Sequence, residues 1–182
     1  MTGQDAGLRA GGRYPPPVTY RITAVCLGNI CRSPMAEAVI RDRVAAAGLE
    51  DLVIVDSAGT GDWHVGGPAD PRARATLDAA AYSHDHRARQ IDASWIADID
   101  LLLAMDSSNY ANLQAMVEES GADVDLRMFR SFDPQLAHID EPHPDLDVPD
   151  PYYGANDGFI EVLEMLERAA DALVVELPAR VQ

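Results

Sequence analysis

The sequence of 182 residues is 47% hydrophobic and 24% charged, with a formal net charge of −16 at pH 7. This length allows one domain with a proper core and hardly two. The negative charge argues against nucleic acid as a partner, because phosphate backbones attract basic surfaces. No apolar run approaches the length of a membrane span, and the N-terminus lacks the features of a signal peptide, so no membrane association is expected.

Residues 1–17 form the first distinct segment of the chain. They include four glycines and three consecutive prolines, with almost no large apolar side chains. Such a segment cannot bury enough apolar surface to order itself. The sequence therefore predicts a disordered N-terminal tail, followed by a single folded domain over residues 18–182.

The next segment joins a predicted strand, residues 20–25, to a Cys-x5-Arg-Ser loop that begins at Cys26. The β-branched and aromatic residues favour the strand. Ser33 followed by Pro34 predicts a helix start, with serine as the N-cap and proline in the first turn. Backbone N–H groups that converge in front of a helix N-terminus bind anions. The sequence therefore predicts an anion loop at the end of the first strand.

The residues within this loop point to phosphate chemistry. Gly28 and Asn29 tolerate the backbone geometry that a tight loop requires. The positive field of the loop favours the thiolate form of Cys26, which would be a nucleophile. Arg32 offers a planar fork that matches two oxygens of a phosphate. The combination suits hydrolysis of a phosphate monoester, the alternative being that Cys26 is a buried apolar thiol.

The rest of the chain alternates between helix and strand patterns. The predicted helices span 34–47, 71–81 (capped by Asp70), 93–98, a segment from Ser107 or Ser108 to 120, and 158–177; the predicted strands span 52–55, 100–105 and 126–129. Strands separated by helices predict an α/β fold with a four-stranded parallel sheet and helices on both faces. Ligands bind such sheets beyond the carboxyl ends of the strands, where Cys26 lies. Residues 130–153 show no periodicity, and a long irregular segment of this kind is usually functional or mobile.

The run from Cys26 to Ser33, together with Asp150-Pro151-Tyr152-Tyr153-Gly154, resembles the low-molecular-weight protein tyrosine phosphatases. The resemblance covers about residues 20–177 and would make residues 18–182 a phosphatase catalytic domain. It implies attack by Cys26, a phosphate clamp by Arg32, and proton transfer by Asp150 as general acid and then base. It also implies phosphotyrosine-containing proteins as substrates and no cofactor.

The resemblance assigns supporting roles to further residues, which form a phosphate-binding loop (Leu27, Gly28, Asn29, Ile30, Cys31, Ser33), aromatic walls (Trp63, Tyr152, Tyr153) and a set that braces the loop (Ser57, His86, Asp106). Ser33 would donate a hydrogen bond to the thiolate. The aromatic walls would select phosphotyrosine by depth, because phosphoserine is too short to reach the nucleophile. His86 has an alternative interpretation as a surface histidine.

Cys26 and Cys31 are the two cysteines of the chain and lie in one loop, so no disulfide framework is predicted and the cytoplasm is the expected compartment. In the resembling family a second loop cysteine can trap an oxidised nucleophile, which suggests redox regulation through Cys31; the alternative is that Cys31 only fills space. The histidines show no paired ligand spacing, so no metal is predicted. The oligomeric state stays open.

Three other functions compete with this interpretation. Protein arginine phosphatases share the nucleophile, the arginine and the acid, but typically carry threonine where this chain has the apolar Ile30. Thioredoxin-coupled arsenate reductases need further cysteines downstream, and none follows Cys31. A non-catalytic module that binds phosphotyrosine would not need Cys26, Arg32 and Asp150 together.

Overall fold

The computed structural model describes residues 19–181, so the tail predicted over residues 1–17 lies outside them. The strands are β1 (Tyr20–Cys26), β2 (Val53–Gly59), β3 (Leu101–Ala104) and β4 (Asp125–Met128). The helices are α1 (Arg32–Ala46), α2 (Pro71–Ala79), α3 (Ala93–Ile96), α4 (Ser107–Ser120) and α5 (Asp157–Arg180). The strands form one parallel sheet in the order β2-β1-β3-β4, which confirms the predicted α/β fold.

β1 occupies the centre of this sheet. Its residues 22–26 are buried, because helices cover both faces of the strand. The chain runs from β1 to β2 on one side and then crosses back to β3 on the other side. The strand order therefore reverses next to the end of β1, at Cys26, which is the position where open α/β sheets bind ligands.

Helices cover the two faces of the sheet with separate apolar clusters, as predicted. On one face, α1 and α5 pack against β1 and β2 through residues that include Met35, Val39, Phe159, Leu166 and Leu173. On the other face, α3 and α4 pack against β1 and β3 through a smaller set that includes Val25, Ile96, Leu102 and Leu113. Burial of these side chains holds the carboxyl ends of the strands in fixed positions.

Two predicted helix caps are wrong. Helix α1 begins at Arg32, one residue before Ser33, and its N-cap Cys31 makes no side-chain capping bond. The Ser33 hydroxyl contacts the Cys26 sulfur instead of capping the helix. Helix α4 is capped by Asp106, whose carboxylate accepts from the N–H of Asn109 at 2.7 Å, and by neither of the two serines that follow it.

The irregular segment after β4 contains three short 3₁₀ turns, Phe129–Phe132, Pro134–Leu136 and Pro144–Leu146. Hydrogen bonds tie it to the ends of the strands. The Glu141 carboxylate accepts from the Arg127 side chain and from the Met128 N–H, and the Val148 N–H donates to the Met105 carbonyl at 2.7 Å. The segment is therefore fastened to the ends of β3 and β4, although it has no periodic structure. Within residues 19–181, no helix is long and apolar enough to cross a membrane.

Candidate active site

The loop between β1 and α1 folds around the sulfur of Cys26. The N–H of Asn29 donates to the Cys26 Sγ at 3.2 Å, and the Ser33 Oγ lies 3.0 Å from the same sulfur. The first turn of α1 follows directly and adds the partial positive charge of a helix N-terminus. If Cys26 is ionised, the Ser33 hydroxyl donates to it, and both contacts stabilise the thiolate.

Asn29 holds the loop in this shape. Its φ of 55° lies in the left-handed region, which asparagine tolerates better than most residues. Its side-chain N–H₂ donates to the Ser33 Oγ and the Ser57 Oγ, each at 2.9 Å, and its Oδ1 accepts from the Arg89 N–H at 2.9 Å. Because every hydrogen of the amide is used, the loop is locked to both α1 and the end of β2.

A second layer of polar residues supports Asn29 from below. The Ser57 Oγ donates to the Glu37 Oε2 at 2.5 Å, and the His86 Nε2 lies 2.7 Å from the Asn29 carbonyl oxygen. The His86 Nδ1 lies 3.6 Å from the same Glu37 oxygen. Burial raises the pKa of Glu37, but the hydrogen bonds from His86 and Ser57 and the charge of Arg41 lower the pKa overall. Glu37 is thus a buried carboxylate beneath the loop.

Close approach of β2 to the loop requires a glycine at position 59. A Cβ at this position would lie 2.7 Å from the Leu27 carbonyl oxygen, a contact that real Cβ atoms do not make. The Gly61 N–H donates to that same carbonyl at 2.9 Å. The end of β2 therefore forms one wall of the loop.

Arg32 points its guanidinium across the mouth of the loop and is almost fully buried. One terminal nitrogen donates to the Asp106 Oδ2 at 2.6 Å and to the Val148 carbonyl at 3.1 Å, and the other donates to the Asp150 Oδ2 at 3.2 Å. Burial lowers the pKa of Arg32, but the charges of Cys26 and the two aspartates raise it overall. Among residues 19–181 no acceptor faces its Nε–H, so that N–H is available to an anion in the loop.

Asp150 lies at the edge of the same site, on the segment that follows Val148. One carboxylate oxygen faces Arg32, and the other accepts from the Tyr152 N–H at 3.2 Å. The side chain lines the pocket that contains Cys26. A carboxyl group in this position can exchange a proton with a leaving group bound above the sulfur.

A pocket of about 370 Å³ opens above the loop; it is lined by Cys26, Leu27, Gly28, Ile30, Cys31, Arg32, Trp63, His64, Asp150, Tyr152 and Tyr153. Trp63 is 70% exposed and Tyr153 is 93% exposed, so both form the rim of the pocket. The Tyr152 and Tyr153 rings meet edge to face with centroids 4.8 Å apart. The loop side of the pocket carries the Cys26 sulfur and the Arg32 guanidinium and its rim is aromatic, an arrangement that fits a phosphorylated aryl group.

The structure brings every site residue predicted from the sequence to the loop or to its immediate surroundings. It also adds residues that the sequence analysis did not single out. His64 lines the pocket, with its ring centroid 6.5 Å from that of Tyr152. Glu37 supports the loop from inside α1, and nothing in the sequence near it indicated this role. Among the described residues, no group of three or more His, Cys, Asp or Glu side chains could hold a metal ion.

Comparisons with known proteins extend this description to nearly the whole chain. A family model described as low molecular weight phosphotyrosine protein phosphatase matches residues 21–182. The chain is 48% identical over 165 residues to the low molecular weight protein-tyrosine-phosphatase of Streptomyces coelicolor, a match that covers 91% of this chain and 98% of the relative.

Solved structures with the same fold include a tyrosine phosphatase and an arginine phosphatase. A protein tyrosine phosphatase from Entamoeba histolytica is 33% identical with a TM-score of 0.78, over 90% of this chain and 100% of the other. An arginine phosphatase from Drosophila is 28% identical with a TM-score of 0.77, over 86% of this chain and 96% of the other. The fold thus occurs in phosphatases with different phosphorylated amino acids as substrates.

Proposed function

Because the chain belongs to the low molecular weight phosphotyrosine protein phosphatase family, we propose that it hydrolyses phosphotyrosine in proteins through a phosphocysteine intermediate on Cys26. The observation that carries this proposal is the position of the Cys26 sulfur. It lies within a loop that supplies two hydrogen-bonding contacts to it, beside a buried arginine whose Nε–H has no acceptor among residues 19–181. This arrangement stabilises both a thiolate and the phosphate that it attacks.

In the first step the Cys26 sulfur attacks phosphorus, and the bond to the tyrosyl oxygen breaks. Arg32 and the loop N–H groups stabilise the charge on the transferring phosphoryl group. Arg32 is held by Asp106 and Val148, so it needs no rearrangement to meet the phosphate. The leaving phenolate receives a proton from Asp150.

Phosphate binding weakens the ion pair between Arg32 and Asp150 and so prepares Asp150 to act as an acid. In the free protein the Asp150 carboxylate lies 3.2 Å from the guanidinium. A bound phosphate competes for that guanidinium and places its own negative charge beside the carboxyl group. Both effects favour the protonated form of Asp150. After the phenol has left, the carboxylate can take a proton from the water that attacks the phosphocysteine, and inorganic phosphate is released.

The walls of the pocket support selection of phosphotyrosine. Trp63, Tyr152 and Tyr153 surround the opening, and the half-buried Ile30 adds an apolar contact beside the phosphate-binding loop. A phenyl ring fills such a slot, whereas phosphoserine is too short to reach the sulfur. The charged guanidinium of phosphoarginine would lose hydration against Ile30. These contacts support tyrosine over arginine as the phosphorylated residue.

We also propose that Cys31 protects the nucleophile from irreversible oxidation, in a reducing compartment such as the cytoplasm. Peroxide oxidises the Cys26 thiolate to a sulfenic acid, and attack by the Cys31 sulfur releases water and forms a disulfide. Burial, together with the charges of Asp70 and Cys26, raises the pKa of Cys31 to about 12. Trapping should therefore accelerate as the pH rises, and Cys31→Ser should recover less activity in thiol reductant after peroxide treatment. Equal recovery of the two proteins would leave Cys31 with a packing role.

The experiment that tests the proposed function compares kcat/KM for one peptide that carries phosphotyrosine, phosphoserine or phosphoarginine. We expect phosphotyrosine to react fastest. Cys26→Ser should fold, bind vanadate and show no turnover. If phosphoarginine were the best substrate, the assignment within the family would be wrong, and if Cys26→Ser kept wild-type activity, no phosphocysteine would form.

A further inference from the structure

The first turn of α2 touches the phosphate-binding loop. The N–H of Asp70, the residue that caps α2, donates to the Ile30 carbonyl at 2.8 Å. The Asp70 carboxylate in turn accepts three hydrogen bonds from Arg72, which come from its N–H at 2.8 Å, its Nε at 3.0 Å and a terminal nitrogen at 3.0 Å. Asp70 is buried, so the direction of the Arg72 guanidinium is fixed relative to the loop.

The same guanidinium reaches the segment that carries Asp150. One terminal nitrogen donates to the Tyr152 carbonyl at 2.9 Å, and the other donates to the Gly154 carbonyl at 3.2 Å. The guanidinium carbon also lies 5.9 Å from the Tyr152 ring centroid and 4.7 Å from that of Phe159 at the start of α5. Arg72 thus contacts the backbone directly after the proposed acid.

The hydrogen bonds from Arg72 matter because residues 149–156 make few other hydrogen bonds to the rest of the protein. Within the described part of the chain, the hydrogen bonds that join them to distant residues come from Arg32 and Arg72. Their remaining bonds are local, such as that from the Gly154 N–H to the Pro151 carbonyl. When a phosphate takes over the Arg32 guanidinium, the bonds from Arg72 are the ones that continue to hold the segment.

We propose that Arg72 is a positioning residue that holds Asp150 and the Tyr152 wall above Cys26 throughout the reaction. Asp70 orients Arg72 and joins it to the phosphate-binding loop. This inference rests on the proposed function, because it assigns Asp150 the proton transfer. Arg72 itself touches neither the sulfur nor the phosphate, so it acts through the acid segment and leaves phosphate binding intact.

The test compares Arg72→Ala with Arg74→Ala, a matched control on the same helix. Arg74 makes no side-chain hydrogen bond or ion pair with residues 19–181. We expect Arg72→Ala to lower kcat/KM for phenyl phosphate by about tenfold to a hundredfold, as for a small misplacement of a catalytic group. The loss should shrink for para-nitrophenyl phosphate, whose leaving group needs less protonation. The inhibition constant for inorganic phosphate should stay within about twofold of wild type, because the loop is unchanged.

A double mutant distinguishes positioning from general damage. If Arg72 acts on the chemical step through Asp150, the double mutant Asp150→Asn with Arg72→Ala should have a kcat on phenyl phosphate no lower than that of Asp150→Asn alone, whereas loss of the Tyr152 wall should change KM. Arg72→Lys should restore only part of the activity, because a single ammonium cannot replace the planar fork. Additive losses in the double mutant, or an equal loss of Arg72→Ala on both substrates, would overturn the proposal.

A readout without turnover separates this proposal from the proposed function. Hydrogen exchange at the Tyr152 and Gly154 amides should accelerate in Arg72→Ala and stay unchanged in Arg74→Ala. If the wild type hydrolysed no aryl phosphate, the proposed function would fail, and the exchange comparison would still test whether Arg72 holds the segment. Unchanged exchange in Arg72→Ala would overturn its positioning role. Thermal unfolding of each variant checks that the fold is intact.

Discussion

At the scale of single residues, Asp150 carries the most specific expectation. Asp150→Asn should lower kcat for phenyl phosphate by roughly 10²–10⁴, the range for loss of a general acid. The loss should be smaller for phenols that leave readily as anions. Asp157→Asn, which changes an exposed acid nearby on α5, is the control and should leave kcat unchanged. A uniform loss of Asp150→Asn across leaving groups would indicate structural damage instead.

Glu37 gives a prediction about stability and pH. Its pKa is lowered in the folded protein, so the unfolded chain binds a proton more readily, and the stabilisation is present above the ordinary glutamate value of about 4.3. Glu37→Gln should lower the free energy of unfolding by about 1.5–3 kcal/mol at neutral pH, the range for a hydrogen bond to a charged group. The difference from wild type should begin to shrink below the ordinary value and be lost as the pH falls through the lowered pKa of folded Glu37.

Urea unfolding of both proteins between neutral and acidic pH measures this difference. Glu50→Gln, at an exposed position just after α1, is the matched control and should change the unfolding free energy little at any pH. A Glu37→Gln effect that persisted unchanged into acid would show that the charge of Glu37 contributes nothing.

Glu37 also shows which kind of residue cannot be identified as functional from the sequence alone. Cys26, Arg32 and Asp150 could be singled out because each fits a motif with a chemical reason. Glu37 could not, because one glutamate in a helix is normally solvated. It is buried only because Ser57 and His86 approach it from distant parts of the chain. The role of Arg72 could not be predicted for the same reason, since its partners Tyr152 and Gly154 lie 80 and 82 residues further along the chain.

At the scale of elements, α4 and the Arg32 guanidinium share one partner side chain, that of Asp106. The Asp106 Oδ1 caps α4 by accepting from the Asn109 N–H, and its Oδ2 accepts from Arg32. Asp106→Ser should keep most of the cap but is too short to hold Arg32, whereas Asp106→Ala should also lose about 0.5–2 kcal/mol of stability from the cap. Both variants should bind phosphate more weakly than wild type.

Thermal unfolding and phosphate inhibition, measured on the two variants, separate the two roles. If Asp106→Ser bound phosphate as tightly as wild type, the clamp on Arg32 would be unnecessary. The predicted caps at Ser107 and Ser108 missed this arrangement because serine and aspartate are equally good N-caps by type. The choice between them depends on Asp147, which accepts from both the N–H and the hydroxyl of Ser107 at 2.7 Å.

At the scale of the whole molecule, the net charge of −16 should affect how substrates arrive. For one phosphotyrosine flanked by acidic residues, kcat/KM should rise as ionic strength increases from about 0.01 M to about 0.15 M, because screening weakens the repulsion. For the same phosphotyrosine flanked by basic residues it should fall. Competition by the salt anion affects both peptides alike and so cancels in the comparison. If kcat/KM changed equally with ionic strength for the two peptides, the overall electrostatic field of the protein would be unimportant.

The arrangement of strands and helices was predictable because its signals are local. The strands and helices carry local signals, such as the buried apolar run of β3 and the apolar face of α5, and alternation of the two element types predicts a parallel sheet. The path of residues 129–156 was not predictable, because it depends on single hydrogen bonds, such as those that join Val148 to Met105 and Glu141 to the Met128 N–H. The sequence indicated a long irregular segment there, and the structure shows that it is fastened rather than loose.

The exposure of Trp63 has an optical consequence. It is one of two tryptophans in the chain and stands at the rim of the pocket, 70% exposed, while Trp95 packs beneath the Arg89 guanidinium on the far side of the loop. Trp95→Phe would leave a single fluorophore whose emission reports directly on what enters the pocket. The protein therefore carries an intrinsic probe with which ligand binding can be followed by fluorescence, without a label and without catalysis.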